Sequence, residues 1–141
     1  MRRATLSTVV VVDASALVDL LLATPNAAWV AGRIASTEFD LHVPEHCDLE
    51  VMQSFRRPLR TGAMARPRAS LAVQDYLDLP LTRHRHRSLL TRVLELRDNF
   101  TAYDAVYVAL AERVRAREIV TTDLPFARAV ERHGAVAVVA P

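Results

Sequence analysis

Val9-Val10-Val11-Val12 is a run of four β-branched residues with no polar position alternating among them. Such a run predicts a strand buried on both faces, because β-branched side chains suit a pleated surface and a half-exposed strand would alternate. The run stops on Asp13, and Leu17, Val18, Leu20, Leu21 and Leu22 then follow at helical density. This is a strand–turn–helix unit with an acid at the carboxyl end of its strand. Thr24-Pro25 predicts an N-cap with proline at the first helical position, opening a helix through Ala27, Trp29, Val30 and Ile34 to about Ser36. Phe39 to Val43 reads as a short strand closed by Pro44. Glu45 to Phe55 reads as a helix on Cys47, Leu49, Val51, Met52 and Phe55, with breaks at Pro58 and Gly62. Arg66-Pro67 opens another helix whose apolar side is Ala69, Leu71, Ala72, Tyr76 and Leu77.

Leu79 to Arg87 is a loop or short strand dense in positive and titratable groups. Ser88 to Arg97 is expected to be helical, with Leu89, Leu90, Val93, Leu94 and Leu96 as its core side. Asp98-Asn99 ends it, and Thr101 caps the next helix, which runs to about Arg115. That helix contains Ala105-Val106-Tyr107-Val108-Ala109-Leu110-Ala111. Apolar all round, it must be central. Glu118 to Thr122 predicts a strand, Leu124 to Arg132 a helix, and Ala135 to Val139 a closing strand. Strands alternating with helices predict an α/β fold with a mostly parallel sheet. With 141 residues the expectation is one domain over 1–141, in which residues 1–7 are an uninformative extension.

Composition narrows the class. Apolar residues make up 51% and there are only three glycines, which excludes a disordered or linker-rich chain. The one cysteine, Cys47, excludes an internal disulfide and fits a reducing, cytoplasmic setting. Met1-Arg2-Arg3 followed by apolar residues faintly mimics a signal peptide. Asp13 inside the supposed signal, and Thr5, Ser7 and Thr8 in its apolar part, speak against one. No apolar run approaches the roughly 18 residues that a membrane helix needs.

Charge adds a direction. Every basic residue is arginine, and between Arg56 and Arg97 ten arginines face only Asp75, Asp78 and Glu95. The rest of the chain is acidic on balance. One basic region beside one acidic region is what a nucleic-acid partner and a metal site would each want. The bland reading is that arginine serves as the surface cation of a lysine-free chain. His84 and His86 lie two apart and could in principle bind a metal. Arg83, Arg85 and Arg87 flank them, so a phosphate-facing or solvated segment is the better reading.

Four acids stand out. Asp13 ends a strand, where ligands bind in open parallel sheets, although Asp is also a favoured N-cap. Asp123 repeats that geometry after Ile119–Thr122, with the same N-cap alternative before Leu124-Pro125. Asp104 sits in the apolar helix, where an ionised carboxylate is costly unless paired or coordinated; a salt bridge to an arginine is the alternative. Glu50 lies beside Asp48, and one of the two faces the sheet. On periodicity alone Glu50 is an ordinary surface acid. Carboxylates brought together repel and protonate unless a cation offsets them. All-oxygen ligands suit Mg²⁺ or Mn²⁺, and such a site activates water for phosphodiester hydrolysis.

These motifs together resemble the PIN-domain ribonucleases, and more narrowly the VapC toxins of bacterial type II toxin–antitoxin systems. The resemblance rests on Val12-Asp13-Ala14-Ser15-Ala16-Leu17, on Leu49-Glu50-Val51, and on Thr121-Thr122-Asp123 with Ala127-Arg128-Ala129. Its most specific part is Asn99 to Glu112, with Thr101-Ala102-Tyr103-Asp104-Ala105 at its centre. It covers nearly the whole chain from Val9 onward. It implies a PIN-like, three-layer α/β/α fold and a metal-dependent endoribonuclease. It implies catalytic and metal-binding roles for Asp13, Glu50, Asp104 and Asp123, with Ser15 and Thr101 in support. RNA (a structured one such as tRNA or rRNA) as substrate, homodimerisation and a VapB-type antitoxin are implied as well. Arg83, Arg85 and Arg87 are the expected RNA contacts. A phosphoryl-transfer domain with Asp13 as nucleophile fits less well. Such folds usually want a second acid beside the first and a lysine, whereas Ser15 stands two residues on and lysine is absent. A catalytically silent RNA- or antitoxin-binding domain is the remaining alternative.

Overall fold

The computed structural model describes residues 6–141, so Met1 to Thr5 of the amino-terminal extension lie outside the described residues. The Val9–Val12 run forms β1 (Thr8–Val12), with Val10, Val11 and Val12 fully buried. β1 is flanked by β2 (Phe39–Pro44) and β4 (Glu118–Val120), while β3 (Leu81–His84) and β5 (Val138–Val139) form the edges. The order is β3-β2-β1-β4-β5 and every pairing is parallel, with Val10 opposite Leu41 and Glu118. Parallel strands need crossovers, and here each crossover is helical.

α1 (Ala14–Leu21) packs on α2 (Ala27–Ile34), α3 (Cys47–Thr61) and α4 (Arg66–Asp78). α6 (Ala102–Arg113) lies on β1, β2 and β4 with α5 (Leu90–Glu95) beside it, and α7 (Leu124–His133) follows β4. The chain moves outward from β1 through β2 to β3, then returns to the other side of β1 to lay down β4. That reversal makes the space between β1 and β4 the topological switch point, the usual ligand crevice of such sheets. Residues 105–111 of α6 are all buried, as an all-apolar helix across the sheet centre requires.

Local differences have local causes. α3 does not stop at Pro58 but runs through it to Thr61, ending where Gly62 turns left-handed (φ 78°). The proline sits in the last turn, where few further helical bonds remain to be lost. α2 starts at Ala27 instead of Pro25, because Thr24 builds the preceding turn by accepting from Asn26 N. Residues 88–97 split into a 3₁₀ turn (Arg87–Leu89) and α5. Leu71, Leu77, Leu90 and Leu94, expected in the core, are exposed. Among the described residues no helix is long and apolar enough to cross a membrane.

Candidate active site

Asp13 occupies the N-cap position of α1 with extended backbone angles, yet its side chain makes no cap bond. Its N–H donates to Val120 O at 2.9 Å, which ties the carboxyl ends of β1 and β4 together. The carboxylate, 6% exposed, accepts at Oδ2 from Ser15 Oγ at 2.6 Å and from Thr121 Oγ1 at 2.8 Å. Each hydroxyl is itself set by a backbone donor: Thr122 N to Ser15 Oγ at 3.1 Å, and Asp123 N to Thr121 Oγ1 at 3.0 Å. The two hydroxyl oxygens are 3.0 Å apart, but each has one proton and gives it to the ionised Asp13. The loop after β4 thus fixes one oxygen of Asp13. Oδ1 receives no donor among the described residues.

Asp123 does cap α7, accepting from Phe126 N at 3.0 Å through Oδ1, so the N-cap reading holds and leaves its other oxygen free. Asp104 lies in the first turn of α6, partly exposed, above Thr101, whose Oγ1 accepts from Asp104 N at 3.2 Å. No arginine pairs with Asp104 among the described residues. Glu50 projects from α3 and accepts from Tyr107 OH at 2.8 Å on Oε1. His46 Nε2, one turn earlier, lies 2.9 Å from the same oxygen. The two atoms are not aligned as a hydrogen bond, and Nε2 has no other partner among the described residues.

The four acids feel one another. Burial pushes the Asp13 carboxyl up from 3.8 to about 6; the two hydroxyl bonds pull it back, and the charges of Glu50 and Asp104 add to the rise. Burial raises Asp104 as well, followed by the charges of Asp123 and Glu50. Four carboxylates from four elements therefore share one electrostatic site at the switch point. Among the described residues no three His, Cys, Asp or Glu side chains converge tightly enough to hold an ion by themselves. Repulsion keeps such acids apart, and Mg²⁺ retains several waters and needs only one or two direct carboxylates. The donor set is all oxygen, which is the chemistry that suits a hydrated hard cation.

Two further residues belong to the site. Thr121, fully buried, reads in the sequence as one more β-branched strand residue. Tyr107, also fully buried, reads as core, although it lies one turn from Asp104 on α6. Burial drives its hydroxyl far above the ordinary tyrosine range, so it stays a donor to Glu50. Arg83 is committed elsewhere: its Nε donates to Asp48 Oδ1 at 2.8 Å, and its guanidinium lies over the Tyr76 ring at 5.3 Å. Arg85 and Arg87 are exposed after β3.

A family model described as the PIN domain matches residues 10–131. Ribonuclease VapC3 of Mycobacterium tuberculosis is 40% identical over 121 residues, covering 85% of this chain and 86% of that protein. Ribonuclease VapC12 of the same organism is 34% identical over 125 residues, covering 89% and 92%. The crystal structure of M. tuberculosis VapC20, titled a sarcin-ricin loop cleaving toxin, superposes with a TM-score of 0.71 at 16% identity, over 94% of this chain and 99% of that one. VapBC2 from Rickettsia felis, bound to a promoter DNA fragment, gives 0.66 at 11% identity, over 94% and 98%. At such identities the structural likeness bears on the fold.

Proposed function

Because the chain belongs to the PIN-domain family, we propose that it is an endoribonuclease, the toxin of a toxin–antitoxin pair, with Asp13, Glu50, Asp104 and Asp123 as its catalytic, metal-holding acids. The observation that carries this is the shared electrostatic site of four carboxylates at the β1/β4 switch point. The relatives at 40% and 34% identity are named ribonucleases. A bound Mg²⁺ or Mn²⁺ would offset the carboxylate charge and render a water nucleophilic at neutral pH.

The chain's own residues prepare that site. Ser15 and Thr121 fix Oδ2 of Asp13 and leave Oδ1 facing outward from the pair. Tyr107 fixes one oxygen of Glu50 in the same way. Thr101 orders the first turn of α6 beneath Asp104, and Asp123 uses one oxygen to start α7. Asp13 and Glu50 are thus held by donors from neighbouring elements, so little reorganisation of these two is required when RNA arrives. Hydrolysis then adds a water oxygen to phosphorus, breaks one P–O ester bond, and leaves a proton on the departing oxygen. Arg85 and Arg87 are available for phosphate, whereas Arg83 is held by Asp48.

The antitoxin fits a groove between α3 and α6. A depression of about 590 Å³ is lined by His46, Leu49, Glu50 and Tyr103, and it adjoins an apolar one formed by Leu90, Val93 and Val106. Leu49 and Tyr103 are 72% and 68% exposed. An amphipathic helix would cover them and place a cationic side chain at Glu50. Leu59, Leu71 and Leu77 on α3 and α4 are exposed apolar positions available to the proposed homodimer. The test is incubation of total RNA with the protein in Mg²⁺ and in EDTA, followed by mapping of new 5′ ends. Discrete cuts in Mg²⁺ alone, absent from Asp13→Asn, support the reading. No cut by the wild type in either buffer contradicts it and favours the silent binding domain.

A further inference from the structure

A second concave feature lies on the carboxyl edge of the sheet, on the side away from Arg85. The edge strand β5 is flanked by a groove of about 550 Å³, whose lining includes Trp29 and Arg33 of α2, Leu124 and Arg128 of α7, and Val138 and Val139. Leu124 directly follows Asp123, so one end of the groove adjoins that acid, while Arg33 reaches Glu118 at the other end of β4. β5 stands two strands from β1, roughly 10 Å at the usual strand spacing.

The lining is unusual for a structural seam. Trp29 is the only tryptophan of the chain and is only partly buried. The Arg33 guanidinium lies over its ring at 5.9 Å, making a flat aromatic–guanidinium platform. Arg33 touches an acid only at 4.0 Å, from Glu118, and Arg128 pairs with none among the described residues. Glu131 is the one acid in the lining. Two exposed guanidiniums, one of them lying over a partly buried ring, suit a ligand that carries both anions and planar faces. A peptide adding to β5 would find a ladder only two residues long. A duplex keeps its base faces stacked inside.

We propose that this groove holds a single-stranded flank of the RNA, such as a loop of a structured molecule, with a base stacked on the Trp29–Arg33 platform and a phosphate against Arg128. Base–aromatic stacking with arginine on the backbone is the usual grip on single strands. The inference rests on the ribonuclease reading and adds to it the form of substrate and where its flank lies. Together with Arg85 and Arg87 beyond β3, it gives cations at both edges of the sheet with the acids between them.

The single tryptophan makes the test direct. Its emission is followed while an uncleavable 2′-O-methyl RNA strand of mixed sequence is added in EDTA. Saturable quenching is expected, and much weaker quenching by the same sequence as a duplex. Arg33→Ala and Arg128→Ala, both at exposed positions, should each flatten the dependence of log K on log salt by about 0.7. In the Mg²⁺ cleavage assay they should raise KM for RNA more than they lower kcat. RNA that is cut while Trp29 emission stays constant overturns the groove and leaves the nuclease reading intact. Quenching of undiminished strength in the double variant also overturns it. A wild type that neither binds nor cuts RNA overturns both.

Discussion

Asp13 shows how the site is held in a state that the isolated fold does not favour. Its burial raises the carboxyl from 3.8 to about 6, so at neutral pH the ionised side chain costs the metal-free fold about 3 kcal/mol relative to the unfolded chain. A carboxyl raised in the folded state is penalised above that folded value, and the penalty fades as pH falls through 6 towards 4. Asp13→Asn should therefore stabilise the metal-free protein by about 1–3 kcal/mol at pH 7.5, and by less at pH 5. Urea denaturation in EDTA at the two pH values reads this, and RNA cleavage should be lost. Thr121→Val acts in the other sense. It removes a donor from Asp13 and strands the Asp123 N–H, so a loss of about 1–3 kcal/mol is expected in the same measurement. Asp13 and Asp123 are conspicuous in the sequence because each ends an apolar strand, and Asp104 because it sits in an apolar helix, whereas Glu50 reads as a surface acid until the resemblance singles it out. Thr121 and Tyr107 are not, since a threonine on a strand and a tyrosine in an apolar helix both read as packing. Only the fold shows that the Tyr107 hydroxyl meets a glutamate 57 residues away.

At the scale of elements, α5, α6 and α7 are tied by one cluster. Glu112 of α6 accepts from Arg92 at 2.9 and 3.1 Å, and lies 3.2 Å from His133 Nε2 of α7. The Arg92 bonds hold the Glu112 carboxyl below its ordinary 4.5. A depressed acid stabilises the fold above its unfolded pKa and loses that contribution as pH falls through its folded value. Glu112→Gln should thus cost about 1 kcal/mol at pH 7 and almost nothing near pH 3, measured by denaturant midpoints. The central strands and most helices are legible because their apolar runs are unambiguous. The edges are less so: β3, Leu81–His84, has no such run and reads equally as a loop. Leu71 and Leu77 of α4, and Leu90 and Leu94 of α5, have the spacing of core positions but lie on helix faces turned to solvent. Whether a leucine faces the sheet or a partner is not written in its periodicity. Pro58 reads as a break in the sequence, yet one lost bond in the last turn of a fifteen-residue helix does not end it.

For the molecule as a whole, the return of the chain from β3 to β4 decides what the sequence can do. It sets Asp13 and Asp123 at adjacent strand ends and gives α6 a central position, from which the charge of Asp104 is felt at Asp13. The basic stretch Arg56–Arg97 ends up distributed. Arg83 and Arg92 are paired internally, while Arg56, Arg60 and Arg66 line a depression near the end of α3. The phosphate-facing role therefore does not belong to the whole stretch. On the proposed reading, Asp13, Glu50, Asp104 and Asp123 are the carboxylates that would hold a divalent cation. The most direct test is the melting temperature of the wild type and of Asp104→Asn across a Mn²⁺ titration, which requires no knowledge of the RNA. By mass action on the folded state, wild-type melting should climb with the logarithm of Mn²⁺ once the site begins to fill. Asp104→Asn should start at or above the wild type without metal and gain much less. Equal gains in both proteins, or none in the wild type, would contradict the account.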